Sequence, residues 1–177
     1  MRRNTFRTAL GGVLSALALS AVFMGSVFPF SEYVGPVVAS VCVLVFCTEF
    51  GIRSALLMYL GISLLSVFIS PSIESSLLFA VFLGWYPAAK EPIEKKFGKP
   101  FSLAVKYLLL NVCVLSLYYV LLNVLQLSAL QEDFAESTVW MTALMIVMYN
   151  VTFLFYDRIL TNVAYAYLHR FRPKLIR

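Results

Sequence analysis

Charge is scarce in this chain. Asp, Glu, Lys and Arg make up 13% of its 177 residues while 61% are hydrophobic, against roughly 25% charged in an ordinary soluble domain. A mean hydropathy of +0.86 is more apolar material than a water-soluble core can use, so a soluble globular domain is excluded. Histidine occurs once, as His169 in a basic stretch, which leaves no basis for a His-based metal centre or a His-dependent catalytic triad. The cysteines Cys42, Cys47 and Cys113 sit in apolar runs without a CxxC pair and read as small buried hydrophobes. Also absent are HExxH spacing, a GxxxxGK(S/T) phosphate loop and a pair of carboxylates deep in an apolar run. No enzyme, no metal and no cofactor is expected on this basis. Without that phosphate loop the chain cannot itself hydrolyse a nucleotide by that mechanism, so active transport would draw on a partner or an ion gradient. The net charge of +5 does not imply nucleic acid, because the cations lie beside apolar segments, where they orient helices and meet anionic headgroups.

What the chain does have is long apolar segments with cations on alternate connections. At roughly 20 residues per span, the segments fall at about 8–28, 34–50, 54–69, 75–89, 101–125 and 139–157. Arg2, Arg3 and Arg7 precede the first, Arg53 separates the second and third, Lys90 to Lys106 follow the fourth, and Arg158 to Arg177 follow the sixth. The intervening connections hold Glu32, Glu74, Glu132, Asp133 and Glu136 and no cation. The positive-inside rule then predicts an all-α polytopic bundle, a single integral membrane domain of six transmembrane helices in the cell membrane, with N and C termini cytoplasmic. Arg2 and Arg3 followed by an apolar stretch also suit a signal peptide. A retained first span is the expectation, because cleavage would strip the flank that makes the charge alternation consistent.

Pro29 closes the first span, Gly51 to Arg53 makes a tight inner turn, and Pro71 with Ser72 marks an outer one. The fourth span is short for a 30 Å hydrocarbon core, so it is predicted to run past Pro87 or to be covered by its neighbours. KEPIEKKFGKP, residues 90–100, is predicted to be the main cytoplasmic loop, and the last helix to continue toward Tyr165, Tyr167 and Arg170.

Gly12, Ala16 and Ser20 recur every fourth residue, a small-residue face that permits close helix packing, either within this chain or onto another membrane subunit. Asn111 and Asn150 both fall near the midplane of antiparallel spans, where two amides can satisfy each other; contact with a ligand is the alternative. Lys106 with Asp157, and Glu49 with Arg53, are candidate ion pairs at the inner boundary, with anchoring roles. Glu49, Lys106, Asp157 and Arg158 are also the only polar set that could serve an enzyme acting on lipid headgroups. At the outer ends, Phe30, Glu32, Tyr33, Tyr118, Tyr119, Asn123, Gln126, Trp140 and Thr142 combine aromatic and polar groups as a small-molecule pocket requires, or as an interfacial belt does.

Six short-looped spans, both ends inside, and the small-residue face on the first span together resemble the substrate-binding S components of energy-coupling factor transporters. The resemblance implies that Gly12, Ala16 and Ser20 meet a transmembrane T subunit, that two ATPase subunits power uptake of a vitamin or metal ion, and that the pocket opens outward among the outer-end aromatics. Only Ala16 reproduces the alanine of that family's AxxxA-type face. The stretch EFGIRSALLMYLGISLLSVFISPSIES with GWYPAAK is also similar to uncharacterised bacterial membrane proteins. The different expectation, a structural or regulatory protein that binds membrane-protein partners or lipid, predicts a filled bundle and a partner without ATPase.

Overall fold

A computed structural model describes residues 2–28, 31–124 and 139–172, and among these every regular element is helical. Helix α1 is Arg2–Val27, α2 Val34–Phe50 and α3 Ile52–Ile69. Helix α4, Ile73–Leu78, widens into a π turn over Phe79–Leu83, and α5 is Tyr86–Lys96. Helix α6, Lys99–Tyr119, and α7, Val139–Ala166, likewise end in π turns, Val120–Val124 and Tyr167–Phe171. Four stretches are long and apolar enough to cross a membrane: Thr5–Val27, Ile52–Ile69, Phe101–Asn123 and Ala143–Arg170. Val34–Phe50 is apolar but shorter.

Helices α1 and α2 form the most extensive pair, and their sequence explains why. Apolar side chains gain little by leaving lipid for one another, so close backbone approach drives the contact. Gly25 and Gly35 meet at the crossing: a Cβ on Gly35 would lie 2.5 Å from the Ala21 carbonyl oxygen, and one on Gly25 would lie 2.9 Å from Gly35 Cα. The buried face of α1 is Ala18, Val22 and Gly25. Gly12, Ala16 and Ser20 lie roughly opposite it by helical phase and are exposed, and a Cβ on Gly12 would meet nothing within 4 Å. The expectation that this stripe packs within the chain is therefore corrected; residues 18, 22 and 25 do that. Helix α2 turns directly into α3 at Gly51, whose φ of +81° is cheap only without a Cβ.

The segment expected as one span over 75–89 is broken. After the π turn, in which Gly84 N–H donates to the Phe79 carbonyl at 2.7 Å, the chain turns through Gly84 and Trp85 before α5 begins. A break at this depth frees carbonyl groups that have no water to turn to. Tyr59 donates to Ala80 O at 2.5 Å, the Trp85 indole to Val81 O at 2.6 Å and Tyr156 to Leu83 O at 3.2 Å. Gly84 makes room for the first of these, since a Cβ there would lie 2.5 Å from the Tyr59 ring. Residues 90–96, predicted to belong to a loop, are helical. Pro92 is accommodated inside α5 and only Phe97 and Gly98 separate it from α6. A turn of helix satisfies backbone groups that an open loop beside the bundle would leave to headgroups and water.

Serines fasten the opposite end. Ser26 of α1 and Ser70 after α3 share a hydrogen bond of 2.5 Å, and Ser76 donates to Ser66 O at 3.1 Å. Ser72 caps α4 through Ser75 N–H at 3.3 Å and also donates to the Glu32 carboxylate, while Ser75 donates to Glu32 O at 3.0 Å. The turns at 31–33 and 70–72 are thereby joined.

The glycine crossing yields a direct contrast. Gly35→Ala forces α1 and α2 apart and is expected to lower stability by about 1–3 kcal/mol, whereas Gly12→Ala leaves the melting temperature in detergent within a degree or so of the parent. Equal melting temperatures for the two variants would overturn the assignment of this crossing as the closest packing in the bundle.

Candidate functional site: an aromatic cavity between two polar clasps

Helix α7 does not lie flush against the bundle. Between it and α2, α4 and α6 there is a cavity of about 630 Å³. From α7 the walls are Met145, Met148, Tyr149, Thr152, Phe153 and Tyr156, spaced as one helical face. Opposite stand Val37 of α2, Leu78, Phe82 and Leu83 of α4, and Leu110, Val114 and Tyr118 of α6. Tyr33 and Glu74 stand at one end. Phe82 lies eight residues beyond Glu74, roughly 12 Å along α4, and with Tyr156 forms the other end. There the rings interlock: Phe82 stacks on Tyr86 with centroids 5.1 Å apart, and Phe153 meets Tyr86 at 5.3 Å and Tyr107 at 5.4 Å.

Directly beyond that floor lies a charged clasp. Asp157 of α7 accepts from Tyr86 at 2.5 Å and pairs with Lys90 of α5 at 2.8 Å and Lys106 of α6 at 3.2 Å. Lys90 also donates to Asp157 O at 2.5 Å and Thr161 Oγ1 at 2.6 Å, and Lys106 pairs with Glu94 at 2.5 Å. The lysine side chains are 8% and 3% exposed, so their charge is compensated by carboxylates rather than by water. This brings together Lys106 and Asp157. The other expected ion pair is corrected: Glu49, 6% exposed, pairs with Arg172 at 3.1 Å rather than with Arg53, because α7 runs long enough to carry its C-terminal cation back beside the end of α2. Arg158 has no part in the clasp.

The second clasp is uncharged. Asn111 and Asn150 exchange hydrogen bonds of 3.0 and 3.2 Å, and each amide also donates to the carbonyl four residues earlier in its own helix at 2.8 Å. Both amides are thus engaged, as groups in hydrocarbon must be. Tyr118 and Tyr149 share a hydrogen bond of 2.5 Å between hydroxyls.

At the cavity mouth Tyr33 donates to Glu74 at 3.4 Å and lies within hydrogen-bonding reach of Tyr149. Burial, then the charge of Glu32, pushes the Glu74 carboxyl above the usual carboxylate range, with the Tyr33 hydrogen bond opposing. Burial, with Tyr149 and Glu74 adding to it, pushes the Tyr33 phenol up as well, so it remains a donor.

Of the residues predicted to bind a ligand, Tyr33 and Tyr118 line the cavity. Glu32 is turned toward Ser72. Tyr119, Asn123 and Trp140 are exposed and outside the lining, Trp140 at 84%. Phe30 and Gln126, like the side chain of Thr142, lie outside the described residues, as does the whole acidic connection 126–138. Glu74, Tyr149, Thr152 and the two methionines match no motif; the signal that could have found them is the helical spacing of 145, 148, 149, 152, 153 and 156. Among the described residues no cluster of His, Cys, Asp or Glu could hold a metal ion. The chain matches no protein-family profile, curated protein or solved structure.

Two outcomes follow. Asp157→Asn leaves the buried Lys90 without a carboxylate and Lys106 with Glu94 alone, and is expected to cost about 3–5 kcal/mol, part of which Lys90→Met restores in the double variant. A thermal melt showing Asp157→Asn no worse than Asn111→Ala would contradict the clasp. For Glu74, a folded-state pKa above the unfolded one stabilises the protein below the unfolded pKa, and that contribution is lost as pH rises through the folded value. Glu74→Gln should therefore melt higher than the parent at neutral pH and converge with it in acid.

Proposed function

We propose that this chain is the substrate-binding integral membrane subunit of a small-solute, vitamin-sized uptake transporter, without enzymatic activity and energised by partner subunits. The observation that carries the reading is the cavity. Its volume of about 630 Å³ falls within the roughly 300–1,000 Å³ usual for ligand pockets, and its apolar, aromatic walls with a few convergent polar groups are what such pockets present. In this topology six segments cross the bilayer, α2 as a short span and α4 with the start of α5 as a broken one, with both termini cytoplasmic. The lysine clasp then lies at the inner face and Glu74 at the outer, so the cavity opens outward. The S-component resemblance agrees, and the exposure of Gly12, Ala16 and Ser20 supports their use as a docking face for a T-type subunit. The reading as a structural or regulatory protein loses support from the cavity, since it calls for a filled bundle.

Mass spectrometry of material purified from its native membrane in mild detergent tests this. A small molecule with a T-type subunit and ATPases is the expected outcome; a membrane partner without ATPase, and no small molecule, would replace the transport reading with the regulatory one. Ala16→Trp should release the T-type subunit without shifting the melting temperature of the isolated chain.

A further inference from the structure

The cavity is not neutral in what it can accept. We infer that it takes a largely hydrophobic molecule bearing one cationic, hydrogen-bond-donating group, an amine, received by Glu74 together with Tyr33 and Tyr149. This rests on the reading of the cavity as a solute site. Glu74 is the only ionisable acid or base among the described lining residues apart from tyrosines, and no lysine or arginine is among them. Its carboxylate is half-buried, yet none of the ion pairs among the described residues includes it. Among the described residues its carboxylate accepts one hydrogen bond, from Tyr33, and that bond is long at 3.4 Å, leaving acceptor capacity on a group that has up to about four lone-pair sites.

Charge outside the cavity points the same way. The nearest buried cations, Lys90 and Lys106, lie beyond the aromatic floor and are held by Asp157 and Glu94. At the mouth the described turns, residues 31–33 and 70–74, contribute Glu32 and Glu74 and no Lys or Arg. An anionic solute would approach this end against its own charge, while a cation would be drawn to it. Tyr33, Tyr118 and Tyr149 line the cavity, and the quadrupole of an aromatic ring attracts a cation rather than an anion to its face. The remaining walls, Met148 and Phe153 among them, fit an apolar or aromatic body.

Three probes of one shape and different charge test the inference on the full purified chain: 4-phenylbutylamine, 4-phenylbutanol and 5-phenylpentanoate, titrated calorimetrically in detergent. The amine is expected to bind tightest and the carboxylate weakest. Glu74→Gln should weaken the amine about 10- to 100-fold while leaving the alcohol unchanged, and Val114→Trp, which fills the cavity from α6, should abolish all binding. Equal binding of amine and carboxylate, or indifference of the amine to Glu74→Gln, overturns the inference and leaves the solute-site reading standing. Failure of all three probes, or binding that survives Val114→Trp, overturns both. Should Glu74→Gln fail to fold, the ranking of the probes on the parent protein and the Val114→Trp variant still decide the matter.

Discussion

Asp157 is the point on which the packing of α7 depends. Two lysines that are almost wholly buried converge on it from α5 and α6, and a tyrosine hydroxyl adds a third donor. Removing two ammonium groups from water is costly, and the arrangement holds only because Asp157 and Glu94 compensate both in one place. The carboxylate thereby ties the C-terminal half of α7 to two other helices. Seven residues earlier, about two turns up the same helix, the Asn111 and Asn150 amides and then the Tyr118 and Tyr149 hydroxyls tie it again. Alongside these attachments, over residues 144–156, α7 is spaced from α4 by side chains rather than drawn in. A cavity survives there because polar contacts set the distance and there is little hydrophobic force in lipid to close it.

The break at Gly84 and Trp85 sets where that cavity ends. A straight helix through this region would carry its apolar face past α7 without interruption. Instead, the π turn and the break put Phe82 and Tyr86 in a stack facing Phe153, and bring Lys90 under them to Asp157. The break is tolerable because Tyr59, Trp85 and Tyr156 receive the carbonyls it releases. Tyr156 does both jobs, satisfying Leu83 O and walling the cavity. The same residues that make the helix discontinuous thus build the floor between the apolar chamber and the charged clasp.

What the sequence discloses follows from what can be read in one dimension. Apolar length gives the helical class and most helix positions. Matching the depth of polar residues in antiparallel segments places Asn111 near Asn150 and Lys106 near Asp157, since both spans run at the same rise per residue. Depth alone does not give rotation. Gly12, Ala16 and Ser20 form a more uniform small-residue face than Ala18, Val22 and Gly25, yet the partner helix decides which is buried; Gly35 decides it. Lys90 is hidden for a different reason. In KEPIEKKFGKP it is one of several charges and reads as solvated, and it becomes buried because α5 is a helix that turns this single position inward. The cavity is least legible, because it is defined by where four helices fail to touch.

The two ends of the bundle handle buried charge in opposite ways, and this contrast bears on purpose more than on folding. At the lysine end every deeply buried cation has a carboxylate partner, so the cost of desolvation is offset within the chain. At the other end Glu74 is half-buried beside Glu32, whose charge raises its pKa further, and no cation of the chain pairs with it among the described residues. Serine hydroxyls and backbone caps already fasten that end, and a glutamine at position 74 could still engage the Tyr33 hydroxyl. The first turn of α4 gives a carboxylate there some electrostatic support, which its burial beside Glu32 opposes. A carboxylate at the mouth of an aromatic chamber, held by one long tyrosine hydrogen bond and with no cation paired to it among the described residues, fits a role completed from outside the chain.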